Sequence, residues 1–273
     1  MDFLKLVLVF GAIWVAFYFF PIFPDESTFE ISIDNEEALG DLLVDEVLYN
    51  SPDFKLLSNP TLDSAFDQIT SRLMDNMGPT DYEYTIQVVD NEEINAFTLP
   101  GGHIFVYSGL IAYAERPEEV AAVLSHEIGH VENRHVTSRL IKEFGINLIF
   151  SLAMGGDAII LGELGKTALS TVFDRQQEKE ADIYGLDLLV RSKISPSALA
   201  VFFRRVKREM GDYNSAVEIF MSHPNFNSRI KASLAHPVPE GFKAEEFDIN
   251  WERVRASLSN DFRDSSATMT YID

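Results

Sequence analysis

Hydrophobic positions change their period several times along the chain, and each change marks a different element. Leu6 to Phe23 is an uncharged, almost wholly apolar run. As a helix it would cover about 27 Å, close to the thickness of a bilayer core, and this predicts one N-terminal transmembrane helix. Residues 25–60 are acidic and only patchily apolar, with a helix expected over Asn35–Tyr49. Leu62, Phe66, Ile69 and Leu73 then recur every three or four residues, predicting an amphipathic helix over Thr61–Met77 that Gly78-Pro79 stops. From Tyr82 to Ile111 the period drops to two. Tyr84, Ile86 and Val88 alternate, and the runs Asn95–Leu99 and His103–Tyr107 flank Pro100-Gly101-Gly102, which reads as a small antiparallel sheet around a turn.

Beyond Arg116 the chain reads as helical again. Pro117 suits a first helical turn, Glu118 and Glu119 complement the positive end of the helix dipole, and Val120, Leu124, Ile128 and Val131 form one apolar stripe. Ile146–Leu161 is greasy but broken by Gly155 and Gly156, and reads as a buried or surface-associated helical hairpin. Further helices are expected over Thr171–Ser192 and Pro196–Met210. The second carries Arg204, Arg205, Lys207 and Arg208, read as a solvated face. The last 35 or so residues are polar, with one short helix near Trp251. The pattern is that of an α+β protein, mainly helical, with a small antiparallel sheet behind a membrane anchor. Its expected divisions are an anchor over 1–24, an acidic juxtamembrane region over 25–60, a main domain over 61–236 and a polar tail over 237–273.

Composition narrows the function. With 43 acidic against 22 basic side chains, the net charge of −21 repels a phosphate backbone, so nucleic acid is not an expected partner. The absence of cysteine excludes disulfides, thiolate metal sites and a cysteine nucleophile. The end of the apolar run, Phe19-Phe20-Pro21-Ile22-Phe23-Pro24, lacks the small residues of a signal-peptidase site. The run is therefore expected to stay as an anchor over residues 6–23. Lys5 and the amino terminus on one side, against Asp25, Glu26, Glu30 and Asp34 on the other, put the body outside the cytoplasm, as in a bacterial periplasm.

The chemistry concentrates in His126-Glu127-Ile128-Gly129-His130. Two histidines four apart lie about 40° apart around a helix axis, so both imidazoles can reach one ion, and zinc favours nitrogen ligands. Glu127 then stands beside a metal-bound water as its base. Two histidines leave a catalytic zinc one protein ligand short. His135 comes nine residues after His126, on the continuation of the apolar stripe, and reads as a packed core histidine. In Glu178-Lys179-Glu180-Ala181-Asp182, helical spacing puts Glu178 on a face with Ala181, Asp182, Gly185 and Leu189, where a carboxylate needs a charged partner. Glu180 falls on the polar face as a solvated bystander. Glu178 is thus the better ligand candidate, and Asp182, one turn on, suits the free N–H of a ligating histidine.

These residues, with Asn95-Ala96-Phe97 and Pro100-Gly101-Gly102, resemble the HtpX-, BepA- and CaaX-endopeptidase-type zinc metalloproteases of the gluzincin group over roughly Thr61–His236. The resemblance implies a zincin-like domain with one zinc ion held by His126, His130 and Glu178, and Glu127 as general base. It implies a cleft-edge strand that pairs with an extended polypeptide, with Asn95, Ala96, Phe97, Gly101, Gly102 and His103 as the substrate-binding candidates. His223-Pro224 followed by Arg229-Ile230 is similar to a family element whose histidine approaches the metal, stabilising an oxyanion or plugging a resting site; His223 and Arg229 are accordingly catalytic candidates. The implied function is a membrane-tethered zinc endopeptidase of envelope protein quality control. The alternative is a latent or non-catalytic, zinc-stabilised, chaperone-like binding protein.

Overall fold

The computed structural model describes residues 31–50, 54–145, 149, 158–170, 172–209, 223 and 225–258. The chain divides into two units, residues 1–32 and residues 33–273. The second unit is built from α1 (Ile33–Asn50), α2 (Pro60–Met74), β1 (Thr85–Val89), β2 (Ala96–Leu99), a 3-10 turn (Pro100–Gly102), β3 (His103–Tyr107), α3 (Ser108–Tyr113), α4 (Pro117–Glu132), α5 (His135–Phe144), α6 (Ala158–Leu169), α7 (Arg175–Arg191), α8 (Ser197–Glu209), α9 (Phe226–Ala235) and α10 (Trp251–Ala256). The apolar run Leu6–Phe23 and most of the Ile146–Leu161 hairpin lie outside the described residues. Among the described residues no helix is long and apolar enough to cross a membrane.

The fold is mainly helical with one three-stranded sheet, ordered β1-β3-β2. The sheet is mixed, not antiparallel as the alternation suggested. β2 pairs antiparallel with β3 (Ala96 opposite Val106), but β1 runs parallel to β3 (Thr85 opposite His103). Residues 90–95 carry the chain past the slot beside β1, and β3 returns to fill it. This crossing is pinned where Tyr107 N–H donates to Asn95 O (3.0 Å) and Gly109 N–H to Asn91 O (2.8 Å). Alternation reports which face is buried, not the direction of the neighbouring strand, so the sequence pattern is the same for both arrangements.

Helix α4 is the centre of the core. Every residue from Pro117 to Val131 is buried, so the expected single stripe is in fact a helix covered all round. It is met by α2 through Leu62, Phe66, Ile69 and Leu73, by α8 through Phe202, Phe203 and Val206, and by α7. Polar groups at its start are paired inside the protein: Glu118 Oε1 accepts from Phe247 N–H (3.0 Å), and Glu119 holds Arg205. Arg205 is therefore not part of a solvated face; it lies buried against Glu119 and over the Tyr113 ring. Residues 237–258 return to this core, burying Phe247, Trp251, Val254 and Leu258, with Trp251 Nε1–H donating to Ala114 O (2.8 Å).

Candidate metal centre

α4 and α7 cross closely because each presents a glycine to the other. A Cβ on Gly129 would stand 2.6 Å from Ala181 O, and one on Gly185 would stand 2.8 Å from Ser125 O and 2.9 Å from His126 N. Gly129 lies inside the histidine motif and Gly185 one turn past Ala181, so the close approach brings His126 and His130 directly against Glu178 and Asp182. The capping box at Asp174, which accepts from the amides of Gln176 and Gln177, starts α7 one turn ahead of Glu178.

Four side chains converge in this contact: His126, His130, Glu178 and His223, all buried, each offering one ligand atom, with these atoms within 4.8 Å of one another. His126 Nε2 and His130 Nε2 are 3.0 Å apart, and His126 Nε2 and His223 Nδ1 3.2 Å. Glu178 Oε1 lies 2.9 Å from His223 Nδ1 and 3.4 Å from His130 Nε2. Ligands held at zinc's usual bond lengths sit about 3.3 Å apart at the corners of a tetrahedron. The observed spacings bracket that value, so the residues fit a zinc ion by both donor type and separation.

The surroundings put the ligand atoms in the right protonation state. Burial, helped by the Arg229 charge, lowers the His126 imidazole to about 4, and burial holds His130 well below its ordinary value, so both rings are neutral. Burial alone would raise the Glu178 carboxyl, but the charges of His223 and Arg229 override it and keep the group ionised. Asp182 is held at about 2, because Arg229 and the His126 hydrogen bond outweigh its burial. Asp182 Oδ1 lies 3.0 Å from His126 Nδ1, which turns the other nitrogen of that ring toward the cluster. Arg229 grips Asp182 through Nε (2.9 Å to Oδ2) and Nη2 (2.7 Å to Oδ1), and its Nη1 lies 2.7 Å from Glu178 Oε2. The guanidinium is buried and stacked over Phe203, and its Nη2 also lies 3.0 Å from His126 Nδ1, so it ties both carboxylates to that ring.

Glu127 stands beside the cluster with Oε1 3.6 Å from His223 Nε2. Its Oε2 is buried and has no hydrogen-bond partner among the described residues. Burial, opposed by the His223 charge, raises its carboxyl to about 7, a value suited to taking and returning a proton near neutrality.

The other expected site residues lie in and around β2 and the 3-10 turn, both of which pack against α4. Asn95, Ala96 and Phe97 lead into and form β2, an edge strand, and are buried. Gly101 packs on the backbone of Glu37 in α1, Gly102 on Glu83 O, and His103 pairs with Asp41 (3.2 Å). Two residues that carry no site role in the sequence pattern also border the cluster. His135 is buried as expected, but its Nδ1 lies 2.9 Å from His130 Nδ1, and its Nε2 lies 3.2 Å from Glu180 Oε2. Glu180 is thus tied to the site and not free in solvent. Arg134, in the left-handed conformation (φ 54°), ends α4 and lets α5 begin at His135, so the helical phase that placed His135 on the apolar stripe does not run through it.

Two histidines of a buried helix and a carboxylate from the helix that crosses it form a cluster that could hold a metal ion. The profile of peptidase family M48 matches residues 60–236, and the chain belongs to that family. Zinc is the family's metal. The chain is 29% identical over 213 residues to the beta-barrel assembly-enhancing protease of Yersinia pestis, covering 73% of this chain and 43% of that protein. It is 27% identical over 206 residues to the mitochondrial metalloendopeptidase OMA1 of Schizosaccharomyces pombe (74% and 61%), and 34% identical over 164 residues to the metalloprotease LoiP of Escherichia coli K12 (57% and 63%). The chain thus spans less than half the length of the assembly-enhancing proteases it matches.

Proposed function

We propose that this chain is a zinc-dependent metalloendopeptidase that hydrolyses peptide bonds of extended or misfolded polypeptides. The observation that carries the reading is the convergence of His126 Nε2, His130 Nε2 and a Glu178 carboxylate oxygen beside Glu127, whose buried Oε2 has no hydrogen-bond partner among the described residues. These three side chains would hold the ion, which when bound polarises a water and the scissile carbonyl. Glu127 takes the proton of the attacking water and delivers it to the departing amine nitrogen. Asp182 orients His126, and Arg229 holds Asp182 and Glu178 together. With its guanidinium directed at those carboxylates and at the His126 ring, Arg229 is a positioning residue.

A resting state is favoured by the place of His223. Its Nδ1 stands among the ligand atoms, 2.9 Å from Glu178, and occupies the room a substrate carbonyl needs. Substrate would add as a strand along Asn95–Leu99, a reading supported by β2 being a sheet edge. Gly101, Gly102 and His103, the remaining substrate-binding candidates, shape the turn under α1 that leads out of this strand. We assign the membrane tether to residues 6–23, the catalytic domain to residues 61–236 outside the cytoplasm, and the working role to envelope protein quality control, as the relatives' names suggest.

The test is Glu127→Gln on the full chain. Zinc content is expected to stay at one per chain while cleavage of an unfolded protein disappears; undiminished cleavage rejects the mechanism. Wild type beside His223→Ala separates the alternatives. Faster cleavage by the variant supports a latent enzyme, and cleavage by neither supports a zinc-stabilised binding protein.

A further inference from the structure

His126 and His130 reach the cluster by different means. His126 turns its second nitrogen to a carboxylate, Asp182, at 3.0 Å. His130 turns its second nitrogen to another imidazole, His135, at 2.9 Å. Two neutral imidazoles facing through nitrogen must share one proton between them. Because His130 Nε2 faces the cluster, its proton belongs on Nδ1 and is donated to His135 Nδ1. His135 then carries its own proton on Nε2, which points at Glu180 Oε2, 3.2 Å away. Donors and acceptors alternate without a conflict from Glu180 to His130.

The chain's geometry holds this line. Glu180 is steadied by Gln176, whose Nε2 donates to Oε1 at 2.6 Å. His135 is the first residue of α5, directly after Arg134. Arg134 donates through Nε to Glu36 Oε2 at 2.6 Å, while Thr137 Oγ1 donates to Glu36 Oε1 at 2.5 Å, so one buried carboxylate from α1 fixes the turn that aims His135. On its flat face His130 is stacked by Phe173, with ring centroids 3.8 Å apart, and the ring is wholly buried. Without His135 its Nδ1–H would face a dry site with nothing to accept it, and the competing tautomer would put a proton where the metal belongs.

We propose that His135 and Glu180 are positioning residues for the zinc centre: a Glu180–His135–His130 relay that sets the tautomer and direction of His130. The proposal rests on the reading of His130 as a zinc ligand. It is tested on the full chain by competition with a chelator for zinc, using wild type, His130→Ala, His135→Phe, His135→Gln and Glu180→Gln. His135→Phe is expected to weaken zinc binding 10- to 100-fold, the usual effect of losing such a support. His135→Gln, whose amide oxygen accepts from His130 Nδ1–H, restores most of the affinity, and Glu180→Gln loses less than tenfold. Nitrogen-15 spectra of the zinc-loaded wild type should show His130 protonated on Nδ1, whatever the variants' folding yields. If His135→Phe and wild type bind zinc equally while His130→Ala does not, the relay is wrong and the ligand stands. If His130→Ala also binds as wild type, the ligand reading has failed and the relay with it. A zinc-loaded His130 protonated on Nε2 overturns the relay as well.

Discussion

Replacing Gly129 with alanine adds one methyl group at the tightest point of the α4–α7 crossing. The new Cβ would lie 2.6 Å from Ala181 O and 2.9 Å from Ala181 Cα, where ordinary contact starts at 3.4 Å. Both neighbours are backbone of a packed helix, so no side chain can swing aside. The helices must part by about 0.8 Å locally, several times the ~0.2 Å tolerance of a metal–ligand distance. Overpacking of this kind costs about 1–3 kcal/mol, against a helix-propensity gain of about 1 kcal/mol for glycine to alanine. Gly129→Ala is therefore expected to lower the stability of the metal-free protein by about 1 kcal/mol, and zinc affinity by tenfold or more. Gly162→Ala in α6 is the control, because its Cβ meets only the end of the Glu46 side chain, at 3.3 Å, and keeps the propensity gain. Urea unfolding after chelation reads the first quantity and chelator competition the second. If Gly129→Ala matches Gly162→Ala in both, the helix contact is not what brings the ligands together.

Two further outcomes are expected from buried charges. Because Glu127 must be ionised to take a proton and burial raises its carboxyl, kcat/KM is expected to fall as pH drops below neutrality; a rate that rises as pH falls would contradict this. Arg205→Met leaves Glu119 buried without its partner and should cost about 3 kcal/mol by urea denaturation, whereas Arg205→Met with Glu119→Leu should recover most of the loss.

Much of the site is legible in the sequence because its signals are local. The four-residue step between His126 and His130, and that between Glu178 and Asp182, each place two side chains on one helix face, and the apolar company of Glu178 already demands a partner. What escapes depends on distant parts of the chain. The parallel pairing of β1 is decided by where β3 inserts, and alternation is blind to it. Arg205 looks solvated because its partner Glu119 is 86 residues away and lies on a helix that is covered all round. His135 is placed in the core by a helical phase that Arg134 interrupts, and Glu180 looks unpartnered only because that phase turns His135 the wrong way. His223 is visible as a motif, but its approach to Glu178 comes from a segment 45 residues further along.

The central claim is that one zinc ion is held by His126, His130 and Glu178. Crystals of the zinc-loaded chain, measured on either side of the zinc absorption edge, test it most directly. The account predicts a single strong anomalous peak whose neighbours, at about 2.0–2.2 Å, are His126 Nε2, His130 Nε2 and a Glu178 carboxylate oxygen. A fully loaded protein with no peak between α4 and α7, or with a peak there that Glu178 does not touch, would contradict it.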